Sequence, residues 1–590
     1  MHAAWLGTTL LLAVASYAAS EAWVTSNMLW AGAITPDSAV LAAYIPGDQG
    51  VVDIALWQGD KLGTASEAVA VWMSLPADQV IKVRITGLAA ETEYSWSLVR
   101  STAPSLPSAA GQAVQTTYPS GTQVSYVGAP ASFRTFPAGP VQKFRLAAAS
   151  CAWADTTFDV FDKIVAMKPD FMIHMGDLVY ADYTDDNDAE RVQTLREAWT
   201  AGTENRLLRS TGFAYMVSDH DATGNGAVGT DPGMPSVQRA YQLTTPHYPM
   251  GARVSGTVND SLNPAFDADT LALSQQGVPS SMPRAVPLYQ AFTIGTDVRV
   301  IITDLRTNSR LTGSPDSTLG PQQLAWFKAQ LDQWAQYSIV IWVCTKPYQG
   351  LEVGSDRWGG FAAEREDISN HIAALGITNL IGLAGDAHML GIDDGSHTDY
   401  ATNGGAGFTL MQAAPMVQAG SVKIVGPMSH GCFGYAWYTT HQWGIVDIER
   451  TGSDVCVTLT GYNAEQSDPL TTYTTCNTFS GMRGEGPAVE GKGGCKIQMF
   501  PGWVWTVLYV FGVTVALWVL SVWLQTALHA SAKHSHKHRM AAGWTNALAS
   551  GRPGDFVPGI EGALERNTSA DNPLINRKQP GAEVEMARIQ

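Results

Sequence analysis

Positive charge is scarce in this chain of 590 residues, in which 36 Lys and Arg face 53 Asp and Glu, and the formal net charge is −17. A surface that follows nucleic-acid phosphates needs clustered Lys and Arg, so we expect no nucleic-acid-binding surface. The deficit does not exclude a phosphorylated substrate, because bound metal ions can supply local positive charge. Charged residues are only 15% of the chain and hydrophobic residues 45%, which is typical of a globular protein with a membrane element.

Two common signatures of catalysis are absent from the sequence. It has no Gly-x-Ser-x-Gly turn, and thus no sign of a serine nucleophile, and no glycine-rich loop of the P-loop type. Cysteine is also rare, and the six are Cys151, Cys344, Cys432, Cys456, Cys476 and Cys495. Most should pair if the chain is secreted. If Cys151 is reserved for chemistry, one of the other five stays free or pairs with another molecule.

Both ends of the chain carry apolar stretches. Residues 1–20 combine an apolar run with small residues, which predicts a cleaved signal peptide, with an N-terminal anchor or a buried helix as the alternatives. Residues 503–528 contain no charged side chain, which is enough for a helix to cross about 30 Å of hydrocarbon. Basic residues at 533–539 follow, and positive charge of this kind marks the cytoplasmic side of a membrane.

The chain is therefore predicted to be a single-pass type I membrane protein. Its expected parts are a signal peptide (1–20), a first domain (21–140), a second, larger domain (141–480), a stalk (481–500), a transmembrane helix (501–528) and a disordered cytoplasmic tail (529–590). Both domains would lie in the extracellular or luminal space, where Asn259 begins an Asn-Asp-Ser glycosylation sequence. The sequence does not define the oligomeric state.

Residues 21–140 contain six short apolar segments separated by turns. The alternation of Ile81, Val83 and Ile85 is typical of half-buried antiparallel strands. The stretch around Tyr94 resembles the tyrosine corner of fibronectin type III and immunoglobulin-like domains. We predict a β-sandwich of this kind, which is a scaffold from which no activity follows.

Residues 141–480 alternate buried strands with amphipathic helices, which predicts a layered α/β domain with flanking helices. Several strands run directly into polar residues, namely Cys151, Asp177 with Tyr180, Asp219-His220-Asp221 with Asn225, Asp304 with Arg306, Lys346, and Asp386 with His388. Folds of this class place ligands at the carboxyl ends of strands, so we expect these side chains to converge. Most of them are metal ligands in kind. Residues 223–285, rich in Gly, Pro, Ser and Asp, are predicted to form loops beside the site.

Five of these segments, in this order, resemble the PhoD-like alkaline phosphatase/phosphodiesterase family of the calcineurin-like metallophosphoesterases. They are Ala149–Cys151, Gly176–Tyr180, Ser218–Asn225, Thr303–Arg306 and Ala384–His388. The resemblance extends over residues 144–450 and includes the preceding β-sandwich. It implies a metallophosphoesterase β-sheet core and hydrolysis of phosphomonoesters or phosphodiesters by metal-activated hydroxide.

The resemblance also implies a centre of two or more metal ions, expected to be Fe³⁺ with Ca²⁺, with Zn²⁺ or Mn²⁺ as alternatives. The implied ligands are Cys151, Asp177, Tyr180, Asn225, Asp386 and His388. Asp177 would lie between two ions, and Asp386 and Asn225 would hold the second. A further candidate Ca²⁺ loop, for which a solvated acidic run is the commoner explanation, consists of Asp182, Asp185, Asp186 and Asp188.

The catalytic side chains implied by the resemblance are His220, Asp219 and Arg306. His220 would donate a proton to the leaving group, oriented by Asp219 or Asp221. Arg306 would contact the phosphate or brace the edge of the sheet. Ser218 stands where the family commonly has an acid.

Two alternative functions fit the same residues. One is a binding or adhesion protein whose phosphatase domain has lost catalysis, although such a role would not require the whole ligand set. The other is a hydrolase of phospholipids or phosphotriesters that uses the same site. Metal content separates the first alternative from an enzyme, and an assay on a panel of substrates separates the second.

Overall fold

The computed structural model of the protein describes residues 27–47, 50–76, 80–103, 116–152, 159–200, 203–250, 285–310, 316–350, 357–420, 428–434, 441–477, 496–497 and 509–528. The predicted signal peptide, the glycosylation sequence at Asn259, most of the stalk and the tail 529–590 lie outside these residues. The chain divides into two units, Met1–Val504 and Trp505–Gln590.

Seven antiparallel strands form two sheets near the N-terminus. The strands are β1 (Met28–Gly32), β2 (Ser38–Tyr44), β3 (Val51–Gln58), β4 (Ala70–Pro76), β5 (Ile81–Thr86), β6 (Glu93–Ser101) and β7 (Val124–Arg134). One sheet has the order β1-β2-β5 and the other β4-β3-β6-β7, and Leu41, Ile54 and Trp96 share one buried core. The Tyr94 hydroxyl accepts a hydrogen bond from Ala89 N at 2.9 Å. Each of the six predicted segments contains a strand, whereas β1 is an additional one.

Fourteen further strands form two larger sheets. They are β8 (Lys143–Ala149), β9 (Phe171–His174), β10 (Gly212–Tyr215), β11 (Gln290–Ile294), β12 (Val298–Ile302), β13 (Ile339–Cys344), β14 (Leu380–Ala384), β15 (Leu390–Asp393), β16 (Thr409–Ala413), β17 (Cys432–Gly434), β18 (Gln442–Thr451), β19 (Asp454–Asn463), β20 (Thr471–Asn477) and β21 (Lys496–Ile497). The first sheet has the order β10-β9-β8-β18-β19-β20, and the second β11-β12-β13-β14-β16-β15-β17-β21. Strands β8 to β10 are parallel, as are β12, β13, β14 and β16.

Seven helices accompany these sheets in the described part of the first unit. They are α1 (Val160–Ala166), α2 (Asp188–Thr200), α3 (Glu204–Ser210), α4 (Asp219–Ala222), α5 (Met234–Thr244), α6 (Gly320–Leu331) and α7 (Ala362–Leu375). Successive side chains of a strand point to opposite faces of its sheet. In β13, Ile341 joins the core between the sheets, whereas Trp342 packs with the core beneath α6 and α7. Both faces of the central strands are therefore buried, and the domain has the predicted layered α/β architecture.

Helix α5 corrects the prediction of loops throughout residues 223–285. Its buried residues Val237, Ala240, Tyr241 and Thr244 recur at helical spacing, and Pro235 occupies its first turn, where proline is tolerated. Composition alone favoured loops because Gly, Pro and Ser surround this short periodic run. Residues 251–284 lie outside the described part of the chain.

The N-terminal sheets pack directly on the larger sheets. Trp30 Nε1 donates to Phe213 O at 2.9 Å, and Tyr248 Oη donates to Ile34 O at 2.8 Å. The Phe136 ring contacts Phe144, Phe171 and Phe292. All of these residues belong to the unit Met1–Val504, and the domain boundary near residue 140 stays a prediction.

The cysteines divide between disulfides and buried thiols. Cys456 and Cys476 are bonded and lie opposite each other on β19 and β20. Cys432 is also disulfide-bonded, whereas Cys151 and Cys344 are buried and form no disulfide. Within the described residues, Cys344 is thus a second thiol outside disulfides besides Cys151, in agreement with the expectation that one of the other five cysteines stays free.

The second unit contains one apolar helix, α8 (Tyr509–Leu528), with a mean hydropathy of 1.7 over its most apolar window. Its 20 residues are exposed in the structure and would extend for about 30 Å, the thickness of a bilayer core. The helix is thus one candidate membrane span. Residues 501–508 of the predicted transmembrane segment lie outside the described residues.

Candidate metal centre

The predicted site residues follow the carboxyl ends of strands in both large sheets. Cys151 follows β8, Asp177 follows β9, and Asp386 and His388 follow β14. The two sheet edges meet where Asp386 N donates to Ser150 Oγ at 3.2 Å. The convergence predicted from the sequence is therefore present.

Two groups of side chains could each hold a metal ion. One consists of Cys151, Asp177 and His388, and the other of Asp177, Asp219 and Asp386. Within each group, one ligand atom of every residue lies within 4.8 Å of those of the others. Asp177 is common to both groups, which is the arrangement expected of a residue between two ions.

Hydrogen bonds orient the donors of the first group. The Cys151 thiol donates to Asp177 Oδ2 at 3.5 Å. His388 Nδ1 lies 2.8 Å from Ala419 O, an acceptor that fixes the proton on Nδ1. His388 Nε2 then keeps its lone pair, as a metal-ligating histidine requires.

Asp219 lies among the carboxylates of the second group and does not orient His220. It is the first residue of α4, and its Oδ2 accepts from Gly226 N at 2.9 Å. Arg306, which is fully buried, places Nη2 3.2 Å from Asp219 Oδ1 and 3.8 Å from Asp386 Oδ1. Arg306 thus offsets part of the negative charge of the second group. Its predicted contact with substrate stays a prediction.

Asp221 fixes the loop that carries Asp177. Its carboxylate accepts hydrogen bonds from the backbone N–H groups of Ser218, Asp177, Leu178 and Val179 at 2.6–3.1 Å. Four backbone donors on one buried carboxylate form strong, charge-assisted hydrogen bonds. Asp221 therefore holds the loop and does not orient His220.

Backbone strain is concentrated at the same residues. The φ angles of Cys151, Asp177, Asp386 and His388 are 58°, 56°, 65° and 51°, in the left-handed region that residues other than glycine rarely adopt. Such strain costs about 1–3 kcal/mol per residue and is typical of functional sites. Gly176 also has positive φ, and a Cβ there would lie 2.5 Å from Ser218 Cβ. Glycine is thus required at position 176, because the loop that carries Asp177 closely approaches Ser218 there.

Electrostatics favour a cation at the centre. Burial raises the pKa of Asp177 well above its ordinary value, and repulsion from Asp219, Asp386 and Asp221 adds to the rise. Arg306, a nearby cation, acts in the opposite direction and lowers the pKa of Asp177. Burial likewise raises the pKa of Tyr180, followed by the charges of Cys151 and Asp177. A bound metal ion would relieve this repulsion, so the donors fit the metal centre that the sequence predicts.

His220 faces the mouth of the site. Its Nδ1 lies 2.8 Å from Asp182 Oδ1, its ring packs against the tilted ring of Tyr180 at a centroid distance of 4.3 Å, and 19% of its side chain is exposed. Its orienting carboxylate is therefore Asp182, which corrects the prediction of Asp219 or Asp221.

Several predicted residues lie apart from these groups. Asn225 is exposed in the loop after α4, and its role as a ligand stays a prediction. Lys346 is buried, donates to Thr318 Oγ1 at 3.0 Å and lies over the Phe361 ring. The acidic run does not form a common site among the described residues, since Asp182 pairs with His220, and Asp186 and Asp188 pair with Arg239.

A buried acid–base pair, His174 and Glu204, lies behind the Asp177 loop. His174 Nε2 is 3.4 Å from Glu204 Oε1, and both side chains are at most 1% exposed. Burial lowers the pKa of His174 to about 3 and raises the pKa of Glu204 to about 8. Near neutral pH we therefore expect the pair to carry no net charge.

This pair predicts a pH dependence of stability. The folded-state pKa of Glu204 lies above its unfolded value. Its stabilising contribution to the unfolding free energy is therefore complete below about pH 4.5 and is lost as the pH rises through 8. We expect the unfolding free energy to fall by about 1 kcal/mol from pH 7 to 8.5, a range above that in which His174 contributes, and Glu204→Gln to remove most of this fall. Urea unfolding at both pH values measures it, with Glu197→Gln, an exposed site on α2, as control. An unchanged slope in Glu204→Gln would refute the assignment.

The chain is similar to one protein family and to several solved structures. Residues 275–421 match the model of the PhoD-like phosphatase family. The solved structure of PhoD is similar over 81% of this chain and 95% of that chain, with a TM-score of 0.54 and 13% identity. Purple acid phosphatase PPD1 from yellow lupin (Lupinus luteus) seeds is similar over 76% and 74% of the two chains, with a TM-score of 0.41 and 12% identity. No curated protein sequence matches the chain.

The fold and the family match define the class of the protein as a phosphoesterase. Within that class, residues 275–421 are similar to the PhoD-like phosphatases, and this matched segment includes Arg306, Asp386 and His388. The likeness to the solved PhoD structure concerns the fold alone, because the sequence identity is low.

Proposed function

We propose that the protein is a metal-dependent phosphomonoesterase or phosphodiesterase anchored in a membrane by α8. The ectodomain would lie outside the cytoplasm and include a fibronectin III-like or immunoglobulin-like sandwich, which the Tyr94 hydrogen bond to Ala89 N supports. The single observation that carries the proposal is the position of Asp177 in both donor groups. Bound at these donors, two metal ions would polarise a phosphoryl group and make water a stronger nucleophile.

We assign the first ion, expected to be Fe³⁺, to the thiolate of Cys151, the phenolate of Tyr180, Asp177 and His388. The second, expected to be Ca²⁺ or another divalent ion, would bind Asp177, Asp386 and Asp219, with Asn225 as a further ligand from its adjacent loop. Arg306 would limit the charge of the second group, since its guanidinium already contacts two of those carboxylates. Hard oxygen donors suit Ca²⁺, whereas a soft thiolate suits a transition metal.

His220 would protonate the leaving oxygen. Asp182 holds Nδ1 and Tyr180 packs on the ring, so Nε2 would be the atom that delivers the proton. A carboxylate on the far nitrogen fixes the tautomer and the orientation of the ring. Asp182 is therefore a positioning residue for His220.

Replacing Asp182 by Asn should reduce kcat more for alkyl phosphates than for 4-nitrophenyl phosphate. Poor leaving groups depend on general acid catalysis, which is worth about 10²–10⁴-fold, and loss of the orienting charge should remove about tenfold or more of it. Steady-state kinetics on both substrates tests this, with Asp186→Asn, which faces Arg239, as control. Equal losses on the two substrates would contradict a role in proton donation.

One experiment tests the function as a whole. The full chain, purified with its metals, is assayed against phosphomonoesters, phosphodiesters, phosphotriesters and phospholipids, and its metal content is measured in parallel. We expect turnover of a monoester or diester and at least two metal ions per chain. A metal-free, inactive protein would favour a binding or adhesion role, and turnover only of phospholipids or phosphotriesters would favour the alternative hydrolase.

A further inference from the structure

Helix α2 carries a buried arginine that the proposed mechanism does not use. Arg191 lies near the start of α2 and is 5% exposed. Its guanidinium donates to three oxygens, from Nε to Ser236 Oγ at 2.7 Å, from Nη1 to Ala222 O at 2.6 Å and from Nη2 to Tyr183 O at 2.6 Å. Charge-assisted hydrogen bonds of this length are strong. The guanidinium is therefore firmly attached to three separate segments of the chain.

Two of these segments carry the proposed proton donor and its carboxylate. Tyr183 directly follows Asp182, and Ala222 is the last residue of α4, two positions after His220. One guanidinium thus joins the backbone beside Asp182 to the backbone beside His220. The third acceptor, Ser236, lies in the first turn of α5 and fixes the guanidinium itself.

Asp182 depends on neighbouring residues for its position. Its side chain is 47% exposed, and its φ of 53° lies in the left-handed region that residues other than glycine rarely adopt. Such a conformation persists only where the surrounding structure holds it. Besides the bond from Arg191 to Tyr183 O, Thr194 Oγ1 of α2 donates to the Tyr183 hydroxyl at 3.3 Å. Helix α2 therefore holds the segment that presents Asp182 to His220.

The space around the guanidinium is closely fitted to an arginine. Gly233, the residue before α5, approaches it so closely that a Cβ there would lie 2.5 Å from Arg191 Nη2. The Arg191 Cζ atom lies 6.0 Å from the centroid of the Tyr183 ring. A lysine has the same charge but a single donor atom, so it cannot reach acceptors in three segments at once. The contacts thus require the fork of an arginine.

We infer that Arg191 is a positioning residue for proton donation by His220. By joining the segment of Asp182 to α4, it keeps the Asp182 carboxylate 2.8 Å from His220 Nδ1 and so holds the imidazole ring in the orientation for proton transfer. Arg191 is buried behind this pair and acts through it. The inference rests on the proposed function, in which His220 protonates the leaving oxygen.

Steady-state kinetics of Arg191→Lys on the metal-loaded full chain test the inference. We expect kcat for alkyl phosphates to fall about tenfold, and kcat for 4-nitrophenyl phosphate, whose leaving group needs little protonation, to fall less than about threefold. Metal content should stay at the wild-type value, because the three acceptors of Arg191 lie outside both donor groups. Arg196→Lys is the matched control on the same helix, where the guanidinium packs on the Tyr44 ring, and it should leave the ratio of the two kcat values unchanged.

A double variant shows whether Arg191 acts through Asp182. If it does, Arg191→Lys combined with Asp182→Asn should lose no more kcat for alkyl phosphates than Asp182→Asn alone, whereas independent sites would multiply their losses. Ser236→Ala removes only the acceptor of Arg191 Nε. It should show the same preference for the better leaving group at about two- to fivefold.

Equal losses on both substrates in Arg191→Lys, or multiplied losses in the double variant, would overturn the inference. If Arg191→Lys did not fold, an unchanged ratio of kcat values in Ser236→Ala would overturn it instead. A wild-type protein that hydrolyses no phosphate ester would contradict the proposed function and with it this inference. An active wild type whose Arg191→Lys variant shows no leaving-group preference would contradict this inference alone.

Discussion

Asp177→Asn is expected to abolish turnover while making the metal-free protein more stable. The carboxylate belongs to both donor groups, so its loss should reduce kcat/KM by about 10³-fold or more. Asparagine keeps an acceptor for His220 N and tolerates the left-handed φ of 56°. It also removes repulsion among Asp177, Asp219 and Asp386, so the unfolding free energy of the metal-free form should rise.

The two readouts make this prediction specific. Activity and metal content are measured on the loaded protein, and thermal unfolding is measured after chelation. Asp367→Asn, an exposed carboxylate that pairs with Lys328, should alter neither. If Asp177→Asn kept its activity, the shared position of Asp177 would not be functional. If the metal-free variant were less stable, mutual repulsion would not be the dominant force among these carboxylates.

Asp221→Asn is expected to have the opposite effect on stability. An amide offers a single acceptor oxygen, whereas the carboxylate now receives four backbone N–H groups. Unpaired buried donors are costly, and we expect the unfolding free energy of the metal-free protein to fall by about 2–4 kcal/mol. The Asp177 loop should loosen, so metal affinity should fall about 10–100-fold, as is usual when a residue that supports a ligand is changed.

Asp219→Asn separates this effect from direct ligation. Asp219 belongs to a donor group but does not hold the loop, so its substitution should weaken metal binding with little loss of stability. Thermal unfolding with and without metal distinguishes the two variants. If Asp221→Asn left both stability and metal affinity intact, the hydrogen bonds of Asp221 would not be what holds the Asp177 loop in place.

The convergence of the site could be predicted because its residues follow buried strands. Cys151, Asp177 and Asp386 each come directly after an apolar run, and parallel strands bring such positions to one edge. The sequence did not reveal that Asp219 and Asp221 have different roles. On a helix, the side chains of residues two apart point in directions that differ by about 200°. Asp219 therefore faces the metal donors, whereas Asp221 faces the loop that carries Asp177. The partner of His220 is Asp182, whose position depends on a loop with no periodic signal.

The fold was predictable to a similar degree. Alternating strands and helices indicated layers, but pairing between distant strands decides that there are two large sheets, and no local pattern reports such pairing. Helix α5 was missed because its apolar spacing is short and is surrounded by loop-forming residues.

The most direct test of the central claim is an anomalous-scattering map of the metal-loaded protein, collected at edges that identify the elements. We expect two metal peaks separated by Asp177, one beside Cys151 and His388 and the other beside Asp219 and Asp386. In Asp177→Asn at least one peak should disappear. A loaded, active protein with no peak at these donors, or with its metal ions elsewhere, would contradict the account.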